Sequence, residues 1–195
     1  MKLVPLQRIL KRWREVIESE VTRLSNLTKQ LLLLTSIDSK KDLMGIEHFD
    51  VSEQIKTVIR QYQWNFSEKG IMMSYSLPEI FISGDPSLLY SVWENLLTNA
   101  IKYNKDNGEI EISLMEYDAY YEITFKDTGI GMDEGAITRI YDRFYRIDTA
   151  RTRSVEGTGL GLSIVYSIIE MHHGKINVES KKDIGTAFTV SLPKN

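Results

Sequence analysis

The chain has 195 residues, enough for one domain of ordinary size and an appended element. Its net charge of -3 argues against a basic nucleic-acid surface, and the absence of cysteine excludes disulfides, zinc thiolate sites and cysteine nucleophiles. The longest apolar run, Leu31 to Leu34, is far shorter than a bilayer span, and the opening Met1-Lys2-Leu3-Val4-Pro5 lacks the apolar core of a signal peptide.

The first predicted element is a long helix. Leu10, Trp13, Ile17, Leu24, Leu27, Leu31 and Leu34 alternate by threes and fours, and Glu20 alone interrupts the series. Lys11, Arg14, Glu18, Arg23 and Lys29 form the polar face. A seam of period 3.5 predicts a bundle or coiled-coil helix that needs partner helices; an amphipathic helix lying on its own domain is the alternative. Asp38-Ser39-Lys40-Lys41-Asp42 and Gly45 break the pattern, so residues 1–38 form one part, 39–49 a linker and 50–195 a second domain.

In that domain, Val51 to about Lys69 predicts one helix, with Ile55, Val58, Ile59, Tyr62 and Phe66 on one side. A short strand follows at Ile80–Ser83. Asp85-Pro86 then opens a helix to about Tyr103, since Asp caps free amides and Pro suits the first turn. Strands are expected at Glu109–Leu114 and Tyr120–Lys126, joined by a hairpin over residues 116–119. A long polar segment with a short helix covers Met132–Glu156. A helix from about Leu162 to His172 stops at Gly174, and strands at Lys175–Glu179 and Ala187–Leu192 close the domain. The sum is an α+β class: a two-layer sandwich of one mostly antiparallel sheet with helices on one face.

Three clusters carry chemistry. Asn95, Asn99 and Lys102 are spaced four and three apart on one helix face. Carboxamide oxygens bind hard cations and an ammonium neutralises phosphate, although a solvated polar face explains these residues equally well. Asp127-Thr128-Gly129-Ile130-Gly131-Met132 follows a strand. Its carboxylate suits an amino group and its glycines admit a ligand close to the backbone; a capped glycine turn is the alternative. Gly157-Thr158-Gly159-Leu160-Gly161-Leu162 precedes a helix whose first amides suit phosphate. It is neither a Rossmann fingerprint nor a P-loop. The segment between the last two clusters is long enough for a lid. It holds Arg139, Arg143, Arg146, Arg151 and Arg153, of which Arg139 and Arg143 read as solvated, and Phe144 and Tyr145 to dock it. Taken in order, the clusters fit a nucleotide with Mg²⁺.

These segments resemble the boxes of sensor histidine kinases, in order and spacing, from about residue 50 to the end. Asn95-Leu-Leu-Thr-Asn99-Ala-Ile-Lys102-Tyr103 resembles the N box and Asp127-Thr-Gly129-Ile-Gly131-Met the G1 box. Asp142-Arg-Phe144-Tyr-Arg146 resembles the F box and Gly157-Thr-Gly159-Leu-Gly161-Leu the G2 box; Gly185-Thr186-Ala187-Phe188 is similar to the last element. The resemblance implies a Bergerat-type ATP-binding fold with ATP under a mobile lid. It implies that Asp127 holds the adenine amino group with Thr186 beside it. Asn95 and Asn99 would sit at Mg²⁺ and the phosphates, with Tyr103 in the same site. Lys102 and Arg146 would contact phosphate, and Gly157, Thr158, Gly159, Leu160 and Gly161 would cover the triphosphate.

The N-terminal helix resembles the second helix of the family's dimerisation and phosphotransfer domain. That implies a homodimer through this helix and a response-regulator receiver domain as partner. No histidine precedes His48, and His172 and His173 sit at a helix end where they read as structural, so the acceptor histidine is expected outside this chain. The chain would then be a cytoplasmic piece of a parent protein held in the cell membrane by other parts. Two alternatives remain: an ATP-hydrolysing conformational machine of the same superfamily, and a degenerate nucleotide-binding regulator. The hydrolysing relatives place a glutamate four residues before the asparagine equivalent to Asn99; here that residue is Asn95, and Glu94 points about 100° away.

Overall fold

A computed structural model describes residues 6–39, 45–147 and 157–194. The chain separates into two compact units, Met1–Ser39 and Lys40–Asn195. The described residues of the first form one helix, α1 (Leu6–Ser39), and the seam residues Leu10, Trp13, Ile17 and Leu24 on it are all more than half exposed. Among the described residues, no helix is long and apolar enough to cross a membrane.

The second unit runs β1 (Glu47–Asp50), α2 (Val51–Gln61), α3 (Gln63–Lys69), β2 (Met72–Ser76), β3 (Phe81–Gly84), α4 (Pro86–Lys102), β4 (Glu109–Glu116) and β5 (Tyr120–Asp127). It continues with α5 (Glu134–Ile137), α6 (Gly161–Met171), β6 (Lys175–Lys181) and β7 (Gly185–Pro193). Five strands form one sheet in the order β2-β4-β5-β7-β6, antiparallel except for β2 against β4. β1 and β3 make a separate antiparallel pair.

Alternation in the strands decides which face is covered. On β4, Ile110, Ile112 and Leu114 are buried while Glu109 and Glu111 face out. The buried side meets α4 and α6, which supply Leu89, Val92, Trp93, Leu96, Leu97, Ile164, Val165 and Ile168. Trp93 stacks on Phe125 of β5, and its indole N–H donates to Gln54 Oε1 at 2.9 Å, so the largest core side chain leaves no buried donor unpaired. This is the two-layer sandwich expected from the sequence.

Local signals set the helix ends. Asp85 accepts from the amides of Ser87 and Leu88 at 3.0 Å, with Pro86 in the first turn, and Asp50 caps α2 in the same way. Three elements depart from the expectation. The helix of residues 51–69 breaks at Tyr62, whose hydroxyl donates to Glu94 on α4 at 2.9 Å. β1 takes up the last three residues of the expected linker, and β2 forms where no strand was expected. At the end of α6 the left-handed residue is His173, with φ 55°, rather than Gly174. Gly174 is needed for another reason: a Cβ there would lie 2.6 Å from the carbonyl oxygen of Ser191.

Candidate functional site

β5 ends at Asp127, which pairs with Thr186 across the β5–β7 ladder. Asp127 is only 8% exposed, and its Oδ1 accepts the Gly129 N–H at 2.8 Å. Burial pushes its carboxyl up to about 6, while the backbone N–H groups of Gly129 and Thr186 and the charge of Lys105 pull it back. Near neutral pH the group is therefore an ionised, largely dehydrated acceptor.

The loop after Asp127 is clamped on both sides. Ile130 N–H donates to the Tyr103 carbonyl at 3.0 Å, and Asp183 N–H donates to the Ile130 carbonyl at 2.7 Å. Gly131 has φ 60°, and a Cβ on it would lie 2.0 Å from the Lys181 carbonyl oxygen; one on Gly129 would lie 2.3 Å from that of Tyr103. The sequence reading assigned these glycines to close ligand approach. The structure adds that the chain's own backbone, between the end of α4 and the turn after β6, already requires them.

At the other end of the site stand α4 and the start of α6. Asn95 donates Nδ2–H to the Ser91 carbonyl at 2.7 Å, which leaves Oδ1 turned toward Gly161; a Cβ there would lie 2.5 Å from that oxygen. Lys102 Nζ lies 2.8 Å from the position of a Cβ on Gly157. Arg146 donates from Nη1 to the Gly157 carbonyl at 3.0 Å. Gly159 has φ 74° and its carbonyl accepts the Phe144 N–H at 3.0 Å, so Phe144 of the long segment is tied to the glycine cluster that follows it. Thr158 Oγ1 accepts the Leu160 N–H at 3.2 Å, and no side chain of a described residue caps α6 itself. Its first amides are thus suited to an anion.

One open cleft of about 640 Å³, counted with the solvent space it holds, joins these ends. Asn99, Tyr103, Asp127, Gly131, Arg146 and Thr186 line it, all of them among the expected site residues. Asn95, Lys102, Gly129, Gly157, Thr158, Gly159 and Gly161 are not part of its wall but stand around it as described. Leu160 is fully buried in the core and contributes nothing to the wall of the cleft. Burial also raises the phenol of Tyr103 above its usual range.

The sequence reading missed the apolar wall, which includes Ile130, Met132, Ile140, Ile147, Leu162 and Phe188. The signal was there for Ile130 and Met132, which alternate with the glycines of the Asp127 loop, and for Phe188, two residues after Thr186. Tyr145, expected only to dock the long segment, lines the cleft, and the Arg139 guanidinium lies 4.4 Å from its ring centre. Arg139 also pairs with Asp142 at 3.3 Å, on the surface as expected. Phe144 does not dock the segment through its side chain: it is 61% exposed and held by its backbone, at φ 65°. Arg151 and Arg153 lie outside the described residues.

His172 is structural: Nδ1 donates to the Ile168 carbonyl at 2.8 Å and Nε2 accepts the Asp85 N–H at 3.0 Å. Burial lowers its pKa, in keeping with this neutral tautomer. Among the described residues, no three His, Cys, Asp or Glu side chains gather as a metal site. A cation here would share its ligands between the Asn99 carboxamide and the ligand's own phosphates, which suits an ion carried in with a nucleotide.

A two-layer sandwich with a buried acceptor at one end of a cleft and a glycine-flanked helix start at the other defines an ATP-binding domain. Residues 84–195 match the family described as histidine kinase-, DNA gyrase B-, and HSP90-like ATPase, and the chain belongs to that family. It is 37% identical over 180 residues to the heme sensor protein HssS of Staphylococcus saprophyticus, covering 92% of this chain and 38% of that protein. It is 33% identical over 180 residues to the sensor protein kinase WalK of Staphylococcus aureus, covering 91% of this chain and 43% of that protein. The chain therefore spans about two fifths of the length of the curated relatives it matches. A crystal structure of the histidine kinase ThkA in complex with the response regulator protein TrrA shares the fold, with a TM-score of 0.76 at 24% identity, covering 100% of this chain and 53% of that one.

Proposed function

We propose that this chain is the ATP-binding catalytic part of a sensor histidine kinase. It passes the γ-phosphoryl group of ATP to a histidine on another segment, for relay to an aspartate of a response-regulator receiver domain. The observation that carries this reading is the cleft that Asp127 and Asn99 line together. Asp127 and Thr186 take the adenine amino group. Asn99 and Asn95 stand at the phosphates and at a Mg²⁺ ion that neutralises charge on the phosphoryl oxygens. Lys102 and Arg146 contact phosphate, and residues 157–161 cover the triphosphate. Catalysis is positioning plus charge neutralisation, because the acceptor imidazole is itself the nucleophile.

Glu94 argues for transfer over hydrolysis. It accepts the hydroxyl of Tyr62, at the junction of α2 and α3, at 2.9 Å and is not part of the cleft wall, and so is not poised on a water in the cleft. The intact cleft argues against a degenerate regulator. His172 is engaged at both ring nitrogens, which argues against it as the acceptor. The exposed seam of α1 supports a homodimer through this helix, and the parent protein would hold this cytoplasmic part at the membrane.

The test is phosphotransfer in trans. The chain, γ-³²P-ATP and Mg²⁺ are mixed with a histidine-bearing dimerisation domain of a related kinase. Acid-labile, alkali-stable label is expected on that domain and none on the chain alone. Label on neither, with ATP bound, would defeat the kinase reading.

A further inference from the structure

Three hydrogen bonds meet at the hydroxyl of Ser180 on β6. The Met132 N–H reaches its Oγ at 2.9 Å, the Gly185 carbonyl oxygen lies at 3.1 Å and Thr186 Oγ1 at 2.9 Å. Ser180 stands opposite Thr186 in the β6–β7 register, and Thr186 stands opposite Asp127 in the β5–β7 register. The Met132 amide only donates and the Gly185 carbonyl only accepts. The single proton of Ser180 must therefore go to Gly185 if all three contacts are made, and the proton between the two hydroxyls must come from Thr186.

This leaves Thr186 without a proton for the cleft it lines. Toward a ligand its oxygen is an acceptor, and the ionised carboxylate of Asp127 beside it is an acceptor too. Resting on the ATP reading above, we propose that Ser180, which is not itself part of the cleft wall, is a positioning residue that sets base selectivity. It holds the Thr186 hydroxyl as an acceptor, so the Asp127–Thr186 pair favours a purine with an exocyclic amino group over one with a carbonyl there. An amino group offers two N–H donors to this pair. A carbonyl oxygen meets lone pairs on both sides, and the leftover unpaired acceptors cost affinity. Without Ser180, the Thr186 hydroxyl is free to turn and donate to a carbonyl.

The experiment compares ATP with inosine triphosphate, which carries a carbonyl where ATP carries the amino group. Dissociation constants for both are measured by calorimetry with Mg²⁺ on the full chain and on Ser180→Ala and Ser180→Thr, with folding checked by thermal melts. The unaltered chain is expected to prefer ATP. Ser180→Ala should shrink that preference about fivefold, the scale of one neutral hydrogen bond. Ser180→Thr, which keeps the hydroxyl, should restore it. If Ser180→Ala fails to fold, Ser180→Val against Ser180→Thr makes the same comparison at matched volume. A preference unchanged in the variant lacking the hydroxyl, even with both affinities lowered equally, overturns the role of Ser180 alone. An unaltered chain that binds the two nucleotides equally overturns the assignment of Asp127 and the role of Ser180 with it.

Discussion

Asp127 holds a charge where the fold would prefer none. With its carboxyl raised to about 6, the folded chain binds a proton more tightly than the unfolded chain between about pH 4 and 6. Stability from this group is therefore present at low pH and lost as pH rises through that window. Asp127→Asn lacks the titration, so the stability of the original chain relative to the variant should drop by about 2 kcal/mol between pH 4 and pH 7. Urea denaturation at the two pH values measures this, and the other carboxylates cancel in the difference; a constant gap would mean that Asp127 titrates normally. The same substitution should weaken ATP binding at pH 7 by about 10- to 100-fold, since a charged acceptor becomes a neutral amide. Calorimetry that finds equal affinities would remove Asp127 from the base site. The polar members of the site were legible because their spacing is itself chemical information: a carboxylate before glycines, carboxamides four apart. Ile140 and Ile147 were not, because an aliphatic residue lining a pocket looks in sequence like one filling a core.

The same contrast holds for whole elements. α4, α6, β4, β5 and β7 showed themselves in the sequence because each buries one face, which imposes a period of 3.6 or 2. β2 has mostly exposed side chains and is held at the sheet edge by its parallel ladder with β4, so it leaves no alternation to read. The break between α2 and α3 was illegible too, since it reflects the tertiary contact of Tyr62 with Glu94. Between elements, glycine sets how closely they approach. Gly161→Ala puts a methyl against Asn95 Oδ1, and that carboxamide moves only by loosening its bond to Ser91. Stability should fall by only about 1 kcal/mol. ATP affinity should fall more than adenosine affinity, because the change lies at the phosphate end; titrations of both ligands decide, and equal losses would place Asn95 outside the phosphate site. Gly131→Ala is a harsher change, because it combines a left-handed backbone with a clash against the Lys181 carbonyl. It should cost more than about 2 kcal/mol by urea denaturation.

At the scale of the molecule, the two units differ in what they can bury. The second unit encloses a core of its own between sheet and helices, whereas among the described residues of the first unit α1 has no second element to cover Leu10, Trp13, Ile17 and Leu24. Isolated helices are marginal in water, and an apolar seam at heptad spacing is satisfied by another helix with the same pattern. Two outcomes follow from that asymmetry. The chain of residues 45–195 should fold cooperatively and bind ATP within about threefold of the full chain, because the cleft is lined wholly by its residues. The full chain should self-associate in a concentration-dependent way that residues 45–195 do not share, and Trp13→Glu with Ile17→Glu should abolish it by placing charge on the seam. Sedimentation equilibrium separates the species. Association that survives the two glutamates would move the contact off the seam. A full chain that stays monomeric at its highest soluble concentration would mean that α1 does not pair with a second copy, and the proposed homodimer would then need another surface.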